Sequence, residues 1–600
     1  MFAAIFNTDG GPVDCRAAIA AGHDVEILGG RRQVAFVSSK ADTSPAAAEA
    51  SGIRHLGGRY WIVGRLRLDG RGDLRSRLSD RLGSGSADVS DAELCLHAYA
   101  AWGDGFVDRL AGDFCFALWD GDRNRLISAR DQLGVRPLFH AEAGGTQFVG
   151  DSLDWIVAQA PVARDLDEAW IADFLSVGHC LEFDRTVYRH VRRLAPAHVL
   201  TISDAGATVR RYWRLEIREP LYFGNRRAYT ERFLDLMAQS MADRLPPGRV
   251  GISMSGGLDS TTLAASAVRA IGDPARVVAE CTHLETFEED QEKHFSSLAA
   301  RHLGIELRLV AADGLAYDPQ WRQRSTRTAE PTAAVITTHF DRALIHDRAA
   351  RAGVWLYGEG PDNALAFERN AYLSWLVDQR DWRRLGEAVL LYFQAKGLTG
   401  WFETFGRYAG RRQLPDDSFA VPPWLDRALV DRVGVEERLR GIGSEVTPRH
   451  PWHPRAMASF NDPVWQQLFA DFNHEESLGP IIWRHPFLDL RVLEFMLSVP
   501  PVPWARRKLL LREAMHGRLP DEVLARTKTA ARGSAIARPL RTHGLPALSR
   551  GGKLGAYVDV QTLALGAPAA NDLDRIIAAH ALDYWLEQDA LSVALAGREL

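Results

Sequence analysis

The stretch VGISMSGGLDSTTLAASAV (250–268) decides the fold of this chain. An apolar, strand-like run stops at Ser255, two glycines follow, and a helix of small residues comes after Asp259. At the carboxyl edge of a parallel sheet, such a loop opens a helix whose N-terminus favours an anion. The glycines let the backbone approach that anion closely. The stretch therefore predicts a phosphate-binding loop in an α/β domain, with an ordinary glycine-containing turn as the alternative.

The predicted phosphate ligands are hydroxyl and backbone N–H groups, from Ser255, Gly256, Gly257, Ser260 and Thr261. Asp259 is the exception, because a bare carboxylate repels phosphate, but it fits if Mg²⁺ lies between the two. The sequence has no Gly-Lys-[Ser/Thr] string of the Walker type, so chemistry at a γ-phosphate is not expected.

Strand-like and helical runs alternate on both sides of this loop. We predict strands at 249–254, 276–282, 305–311 and 353–357, and helices at 228–245, 260–271, 291–303 and 333–352. Alternating β and α units of this length imply a parallel sheet covered by helices on both faces. The remainder, from about 365 to 600, is predicted to be mostly helical.

Two further strings carry charged side chains suited to such a site. LYGEGPDNALAF (356–367) follows a predicted strand, so Glu359 and Asp362 are expected at the same sheet edge, where Asp259 and Asp362 could share one Mg²⁺. The alternative for Asp362 is a turn carboxylate. The region 506–535 contains Lys508 and Lys528, 20 residues apart, although lysines taken singly are usually solvated.

The first 212 residues have a different texture, with short strand-like runs at 59–68, 114–120 and 125–131. DGDRNRLISARD (120–131) imitates the start of a calcium loop, but Arg125 stands where glycine is needed, so a hairpin turn is predicted. SGSAD (84–88) is predicted to be a surface loop. Residues 213–227 are expected to link this half to a second domain, 228–600.

Composition limits the possible functions. Six hundred residues imply more than one domain, and 46% hydrophobic with 25% charged residues is ordinary for a globular protein. The net charge of −5 points to neither nucleic acid nor an anionic membrane. No apolar run or basic N-terminal region indicates a membrane span or signal peptide. The five cysteines form no CxxC pair, so a reducing cytoplasm is the expected compartment.

Taken together and in this order, the strings resemble the asparagine synthetase B superfamily. SGGLDST resembles its PP-loop, as found in ATP pyrophosphatases, and YGEGPDNA its Gly-Glu-Gly-Ala-Asp-Glu segment. Three longer stretches are also similar: 110–139 to its glutaminase-type domain, 483–500 to its Arg-x-Pro-Phe-Leu-Asp segment, and 508–528 to its C-terminal lysine region. The resemblance implies an N-terminal Ntn-type αββα sandwich followed by a PP-loop α/β domain with a parallel sheet and a helical C-terminal part.

Two departures from the superfamily pattern concern the first domain. Phe2 stands where a working glutaminase has its cysteine nucleophile, and GRLRLDGRGDLR (64–75) replaces the glutamine-binding Asn-Gly-Glu segment. The sandwich is therefore expected to be inactive. GRLRLDGRGDL and AEPTA (329–333) look most like the macrolactam synthetases that cyclise lasso peptides. Asn363, where asparagine synthetases have Glu, loosens the tie to aspartate amidation.

The resemblance implies an ATP- and Mg²⁺-dependent amide ligase that adenylates an Asp or Glu side chain of a precursor peptide and closes a macrolactam with the peptide's N-terminal amine. It implies that Lys508 pairs with pyrophosphate, that Lys528 stabilises the adenylate and the oxyanion, and that Glu359 is a general base. The expected partners are the precursor peptide, a leader-binding protein and a leader peptidase. The alternatives are a β-lactam synthetase-like or ammonia-dependent asparagine synthetase activity on a small molecule, and an ATP-binding scaffold without catalysis.

Overall fold

The structure is a computed structural model of the chain. It describes residues 1–29, 33–39, 50–82, 89–159, 161–285, 291–311, 317–324, 326–396, 420–441, 450–527, 540, 544–545, 548, 552–565 and 573–596. The predicted loop at 84–88 and Lys528 lie outside these residues.

The first 212 residues form two six-stranded antiparallel sheets. Their strands are β1 (Phe2–Asn7), β2 (Asp24–Leu28), β3 (Val34–Ser38), β4 (Ala50–Leu56), β5 (Tyr60–Leu68), β6 (Gly112–Asp120), β7 (Arg125–Arg130), β8 (Phe139–Ala143), β9 (Thr146–Gly150), β10 (Val191–Arg193), β11 (His198–Ser203) and β12 (Gly206–Arg211). The strand orders are β10-β8-β9-β1-β3-β2 and β12-β11-β7-β6-β5-β4. The three strand runs predicted here are β5, β6 and β7.

These sheets stack face to face with helices on the outer faces. The helices are α1 (Arg16–Ala20), α2 (Arg71–Arg77), α3 (Ser79–Leu82), α4 (Asp91–Trp102), α5 (Leu153–Val157) and α6 (Glu168–Val177). Alternation along β1 explains the layers: Phe2, Ala4 and Phe6 pack between the sheets, whereas Ala3 and Ile5 pack towards the helices. The predicted αββα sandwich is confirmed.

The predicted hairpin at 120–131 is also confirmed, since β6 and β7 pair in antiparallel register across residues 121–124. The Asp120 carboxylate accepts the backbone N–H groups of Asp122 (3.0 Å) and Arg123 (3.2 Å). It therefore closes the turn.

The second half contains a five-stranded sheet in which every neighbouring pair is parallel. Its strands are β13 (Val250–Ser253), β14 (Val277–His283), β15 (Glu306–Ala311), β16 (Val354–Leu356) and β17 (Ile482–Arg484), in the order β15-β14-β13-β16-β17. The prediction of a parallel sheet is confirmed. The strand β17 was missed, because three residues show no periodicity of their own.

Helices make up most of the rest of this half. They are α7 (Arg226–Arg244), α8 (Leu258–Ile271), α9 (Glu292–Leu303), α10 (Trp321–Arg324), α11 (Arg342–Arg351), α12 (Pro361–Ala364), α13 (Arg369–Asp378), α14 (Trp382–Lys396), α15 (Arg427–Val433), α16 (Val435–Gly441), α17 (Pro454–Phe460), α18 (Val464–Leu478), α19 (Leu490–Ser498), α20 (Leu509–Ala514), α21 (Asp521–Ala525), α22 (Val560–Leu565) and α23 (Leu573–Ala596). No helix in the described residues is long and apolar enough to cross a bilayer.

The predicted helix at 333–352 is wrong in its first half. Residues 333–336 and 338–340 form short 3₁₀ turns, and α11 starts only after Asp341. The Asp341 carboxylate caps α11 by accepting the N–H groups of Ala343 (2.8 Å) and Leu344 (3.3 Å). The valine, isoleucine and two threonines of this segment are β-branched and disfavour a helix, so the cap sets where it begins.

Buried ion pairs join the two halves. Arg244 of α7 pairs with Asp69 of the first domain (2.8 Å) and with Asp489 (2.7 Å), and all three side chains are almost fully buried. Arg65 and Arg136 of the first domain both pair with Glu476 of α18 (2.5 and 2.6 Å). Breaking such pairs would leave buried charges uncompensated, so these contacts fix how the domains meet.

Candidate active site

The predicted phosphate-binding loop follows β13 and opens α8. Gly256 has φ +68°, and a Cβ there would lie 2.6 Å from the backbone nitrogen of Ser296. Only glycine fits both the left-handed conformation and the close packing against α9. Gly257 then takes the N-cap position of α8, whose first N–H groups are available to an anion.

The hydroxyl groups of the loop divide into two kinds. Ser255 is exposed and lines the cavity at the sheet edge together with Ser260, and their Oγ atoms lie 3.3 Å apart. Thr261 is fully buried, and its hydroxyl donates to the carbonyl of Gly257 (2.8 Å). Contrary to its predicted role, Thr261 holds the turn rather than facing the cavity, because its side chain lies against the helix's own first turn.

The segment after β16 packs directly on this loop. A Cβ on Gly358 would lie 3.4 Å from the backbone nitrogen of Ser260, so the two loops touch through their backbones. Asp259 and Asp362, 103 positions apart in the sequence, thereby reach the same point. The Nζ of Lys508 contacts the carboxylates of both Asp259 and Asp362, at 2.6 Å in the second case.

Lys508 reaches this position through an unusual backbone. Arg507 and Lys508 have φ of +51° and +52°, so two consecutive residues with side chains are left-handed immediately before α20. Such a conformation costs roughly 1–2 kcal/mol per residue and persists only where the surroundings impose it. Here it turns the lysine towards the two carboxylates. In the structure Lys508 pairs with the two predicted metal ligands. Its predicted pairing with pyrophosphate stays a prediction.

The residues present fit a divalent cation. Two carboxylates from neighbouring strand ends converge on one point, and the Lys508 ammonium stands there as a positive charge. Mg²⁺ prefers one or two carboxylates plus phosphate oxygens, which matches Asp259 and Asp362 beside an anion-binding loop. A second group consists of three carboxylates whose oxygens lie within 4.8 Å of one another, those of Asp69, Asp243 and Asp489. Arg244 and Arg491 neutralise that group, so it belongs to the domain interface.

The two loops open into a cavity of about 590 Å³. Four of its lining residues are basic, and they are Arg507, Lys508, Arg512 and Arg526. The three arginines were not singled out from the sequence, since arginine is usually solvated and no spacing distinguishes these. Burial and the neighbouring Arg507 lower the pKa of Arg512. The cavity therefore combines basic side chains with an anion-binding loop and is suited to a polyphosphate.

Arg526, which lines this cavity, is held in place by several contacts. Its guanidinium donates to Glu292 of α9 (2.9 Å), lies 3.4 Å from the carbonyl of Ser255, and stacks 4.7 Å above the ring of Phe295. Thr527, the next residue, also lines the cavity. Lys528 lies outside the described residues and follows Thr527 directly, so its predicted role stays a prediction.

Glu359 lines the same cavity, as do Tyr357 and Asp362. Burial and the nearby Glu359 raise the pKa of Tyr357. The Tyr357 ring stands edge-on to Phe472 at 5.0 Å, so aromatic packing supports this wall. The structure therefore brings Glu359 into the same cavity as Asp259, Asp362 and Lys508, as the sequence predicted.

The first domain presents no activated thiol. Phe2 is buried in β1 between the sheets, and all five cysteines are buried. Burial raises the pKa of the Cys115 thiol to about 12 and also raises that of Cys15, Cys95 and Cys180. A nucleophilic cysteine needs a lowered pKa and access to substrate.

A PP-loop, paired carboxylates and basic side chains at the carboxyl edge of a parallel sheet define a nucleotide-dependent α/β enzyme. The chain belongs to the asparagine synthase family, whose model matches residues 232–587, and the model of a glutamine amidotransferase domain matches residues 58–213. It is accordingly an ATP-dependent ligase of a family that uses ATP with Mg²⁺.

Curated relatives match most of the chain at low identity. "Asparagine synthetase [glutamine-hydrolyzing] 3" of Bacillus subtilis is 25% identical over 529 residues, which are 84% of this chain and 79% of that protein. "Amidase chyE" of Penicillium rubens is 24% identical over 509 residues, 74% of this chain and 73% of its own. The solved glutamine phosphoribosylpyrophosphate amidotransferase of B. subtilis matches 53% of this chain and 67% of its own at 17% identity, with a TM-score of 0.22.

Proposed function

We propose that this ligase adenylates an Asp or Glu side chain of a precursor peptide and closes a macrolactam with the peptide's N-terminal amine. The observation that carries the proposal is the contrast between the two halves: the ligase site is assembled, whereas the glutaminase-like half offers only buried thiols with raised pKa. An amine other than ammonia from glutamine is then needed. A leader-binding protein and a leader peptidase, which would deliver the peptide with a free N-terminus, are part of this proposal.

In the first step a carboxylate oxygen attacks the α-phosphorus of ATP, and the bond to pyrophosphate breaks. The N-terminus of α8, Ser255 and Ser260 bind pyrophosphate oxygens, and the basic side chains Arg507 and Arg512 add positive charge. Asp259 and Asp362 would hold Mg²⁺, which when bound offsets the charge of the departing group. Lys508 moves from the carboxylates to the phosphates in this scheme.

In the second step the amine nitrogen attacks the adenylated carbonyl, and AMP leaves with the electrons of its bond to carbon. An α-amine of pKa about 8 is largely protonated at neutral pH, so Glu359 first accepts a proton from the ammonium form and frees the attacking lone pair. The nitrogen loses its second proton to water as the amide forms. Lys528 is assigned to the negative charge on the carbonyl oxygen. The product is the peptide lighter by one water.

A panel of synthetic core peptides, each with a free N-terminus and one internal Asp or Glu, tests the proposal. A substrate peptide should support pyrophosphate–ATP exchange and lose one water. Its N-acetylated form should support exchange without ring closure. Exchange with aspartate and ammonia, but with no peptide, would point to an asparagine synthetase. No exchange with any carboxylate would leave the scaffold alternative.

A separate measurement tests the inactive first domain. Glutamine supplied with ATP and a carboxylate substrate should release no glutamate, because acyl transfer from glutamine needs an activated nucleophile. Glutamate release coupled to ATP consumption would contradict this part of the proposal and restore glutamine as the amine source.

A further inference from the structure

A second cavity, of about 940 Å³, lies between the two domains. Residues of the first domain line one side, and residues 466–478 of α18 line the other together with the segment 326–332. Three residues of the AEPTA string (329–333) are among them, Ala329, Glu330 and Thr332. Arg65, from the other string that carries the finer resemblance, lines it too. This interdomain cavity is not used by the chemistry proposed above.

The charged side chains around this cavity differ in whether they have a partner of opposite charge. Its buried or half-buried arginines already have partners: Arg65 pairs with Glu476, Arg193 with Glu330, and Arg327 with Asp154. Arg130 donates to three backbone carbonyls, those of Gly134, Arg136 and Leu194. These four arginines are therefore already engaged. Two other cations also line the cavity: Arg342, which is exposed at the start of α11, and the α-amine of Met1, which donates to Ser39 Oγ (3.0 Å).

Asp471 is different, because its hydrogen-bond partners are neutral, and burial lowers the pKa of His339, the imidazole whose charge interacts with it. Thr332 Oγ1 (3.0 Å) and Gln467 Nε2 (3.1 Å) both donate to the same oxygen, Oδ1. In the described part of the chain no lysine or arginine pairs with this carboxylate. Burial raises the pKa of Asp471 to about 6, so the group still carries its charge at neutral pH. A half-buried carboxylate that lines a cavity, and with which no lysine or arginine of the described residues pairs, is suited to receive a cation from a ligand.

Gln466, on the same helix, supplies an independent observation. Gln466 lines this cavity and also a smaller one that Phe460 and Trp465 line, is 5% exposed, and has neither amide atom hydrogen-bonded within the described residues. Buried amides are normally satisfied, so an unused donor and acceptor on one group indicate a missing partner. A peptide group, with its own N–H and C=O, complements both atoms.

We propose that the interdomain cavity binds a non-reacting segment of a peptide, with a Lys or Arg side chain at Asp471 and a backbone amide at Gln466. Phe472, the residue after Asp471, packs against Tyr357, and Tyr357 lines the active-site cavity. Asp471 and Glu359 line different cavities, so a cation held by Asp471 is not the reacting amine. The inference rests on the proposed function only in taking the peptide to be the substrate.

Capped tripeptides test the site without any chemistry. Acetyl-Ala-Lys-Ala-amide, its norleucine analogue and its Glu analogue carry no α-amine or terminal carboxylate, and their binding to the full chain is measured by NMR or calorimetry without ATP. The Lys peptide should bind at least tenfold more tightly than the other two. Equal binding of the Lys and norleucine peptides, or tighter binding of the Glu peptide through Arg342, overturns the proposal.

Two variants sharpen the test. Asp471→Asn keeps the oxygen that accepts from Thr332 and Gln467 but removes the charge, so it should abolish the preference for Lys. Gln466→Leu should weaken the binding of the Lys peptide and of the norleucine peptide to the same extent. Asp378→Asn, at an exposed helix end, is the control. A preserved Lys preference in Asp471→Asn overturns the site. The capped tripeptides carry no carboxylate to adenylate, so their binding is measured independently of pyrophosphate exchange, and a failure of the ligase proposal leaves this binding intact.

Discussion

The Nζ of Lys508 lies 2.6 Å from Oδ1 of Asp362 and also contacts Asp259, so one ammonium joins two carboxylates that come from different strand ends. Without a cation between them, the two like charges would repel and push the loops apart. Lys508 therefore keeps the site assembled before nucleotide binds. In the proposed mechanism, binding of a metal–nucleotide complex exchanges this internal cation for Mg²⁺.

Asp259→Asn and Asp362→Asn should each abolish carboxylate-dependent pyrophosphate–ATP exchange. Asparagine keeps the shape and removes the charge that a divalent cation needs, and Asp362 is exposed, so no core cavity is opened. The melting temperature should change by no more than a few degrees. Exchange at a near-normal rate in either variant would remove that residue from the metal site.

Lys508→Met should have opposite effects on metal binding and on catalysis. Mn²⁺ added without nucleotide should bind more tightly, because the internal competitor is gone, whereas exchange should fall roughly 10²-fold or more as charge stabilisation at the phosphates is lost. Paramagnetic resonance of Mn²⁺ measures the first effect. If metal affinity is unchanged, Lys508 is not the cation that Mg²⁺ displaces.

Gly256→Ala should eliminate nucleotide binding, and Gly272→Ala is its matched control. Both glycines have positive φ (+68° and +72°), but a Cβ at Gly256 meets Ser296 N at 2.6 Å whereas one at Gly272 meets nothing within 4 Å. Strain alone costs about 1–2 kcal/mol. Equal loss of ATP binding in both variants would mean that backbone strain, and not the close approach of α9, matters at the loop.

Features that depend on local sequence could be predicted, whereas features that depend on particular three-dimensional contacts could not. Strand–loop–helix periodicity and the Gly-Gly turn are local, so the loop and most of the strand–helix alternation around it could be predicted. The direction of Thr261 depends on hydrogen bonding within the first turn of α8, and the partner of Lys508 depends on two left-handed residues. Neither of these two features produces a periodic pattern in the sequence. The arginines Arg512 and Arg526 join the site only through the packing of α20 and α21.

Buried neutral histidines should make the chain sensitive to acid. His485 is 2% exposed among Phe469, Phe472 and Tyr357, and burial lowers its pKa to about 4. Because the unfolded chain binds the proton more readily, the stability that His485 contributes is lost as pH falls from about 6.5 towards 4. Between pH 7 and 5 the loss is roughly 2 kcal/mol.

His485→Phe should therefore reduce the drop in melting temperature between pH 7 and pH 5, since phenylalanine fits an aromatic site and has no proton to bind. His190→Phe, at an exposed histidine, serves as the control and should leave the drop unchanged. A drop as large in His485→Phe as in the unsubstituted chain would show that other groups govern acid unfolding.

Substitutions of Glu359 and of the proposed metal ligands should affect the two reaction steps differently. Glu359 lines the cavity beside Tyr357, and its proposed task concerns only the proton on the attacking amine. Glu359→Gln keeps the shape and removes the base, so ring closure should slow by roughly 10²–10⁴-fold while adenylate formation is largely kept. Hydroxylamine traps the acyl-adenylate, and mass spectrometry counts the macrocycle.

Asp362→Asn, by contrast, should lose both signals together. If Glu359→Gln also loses trapped adenylate and macrocycle in equal proportion, Glu359 acts in activation of the carboxylate or in folding, and the general-base assignment is wrong.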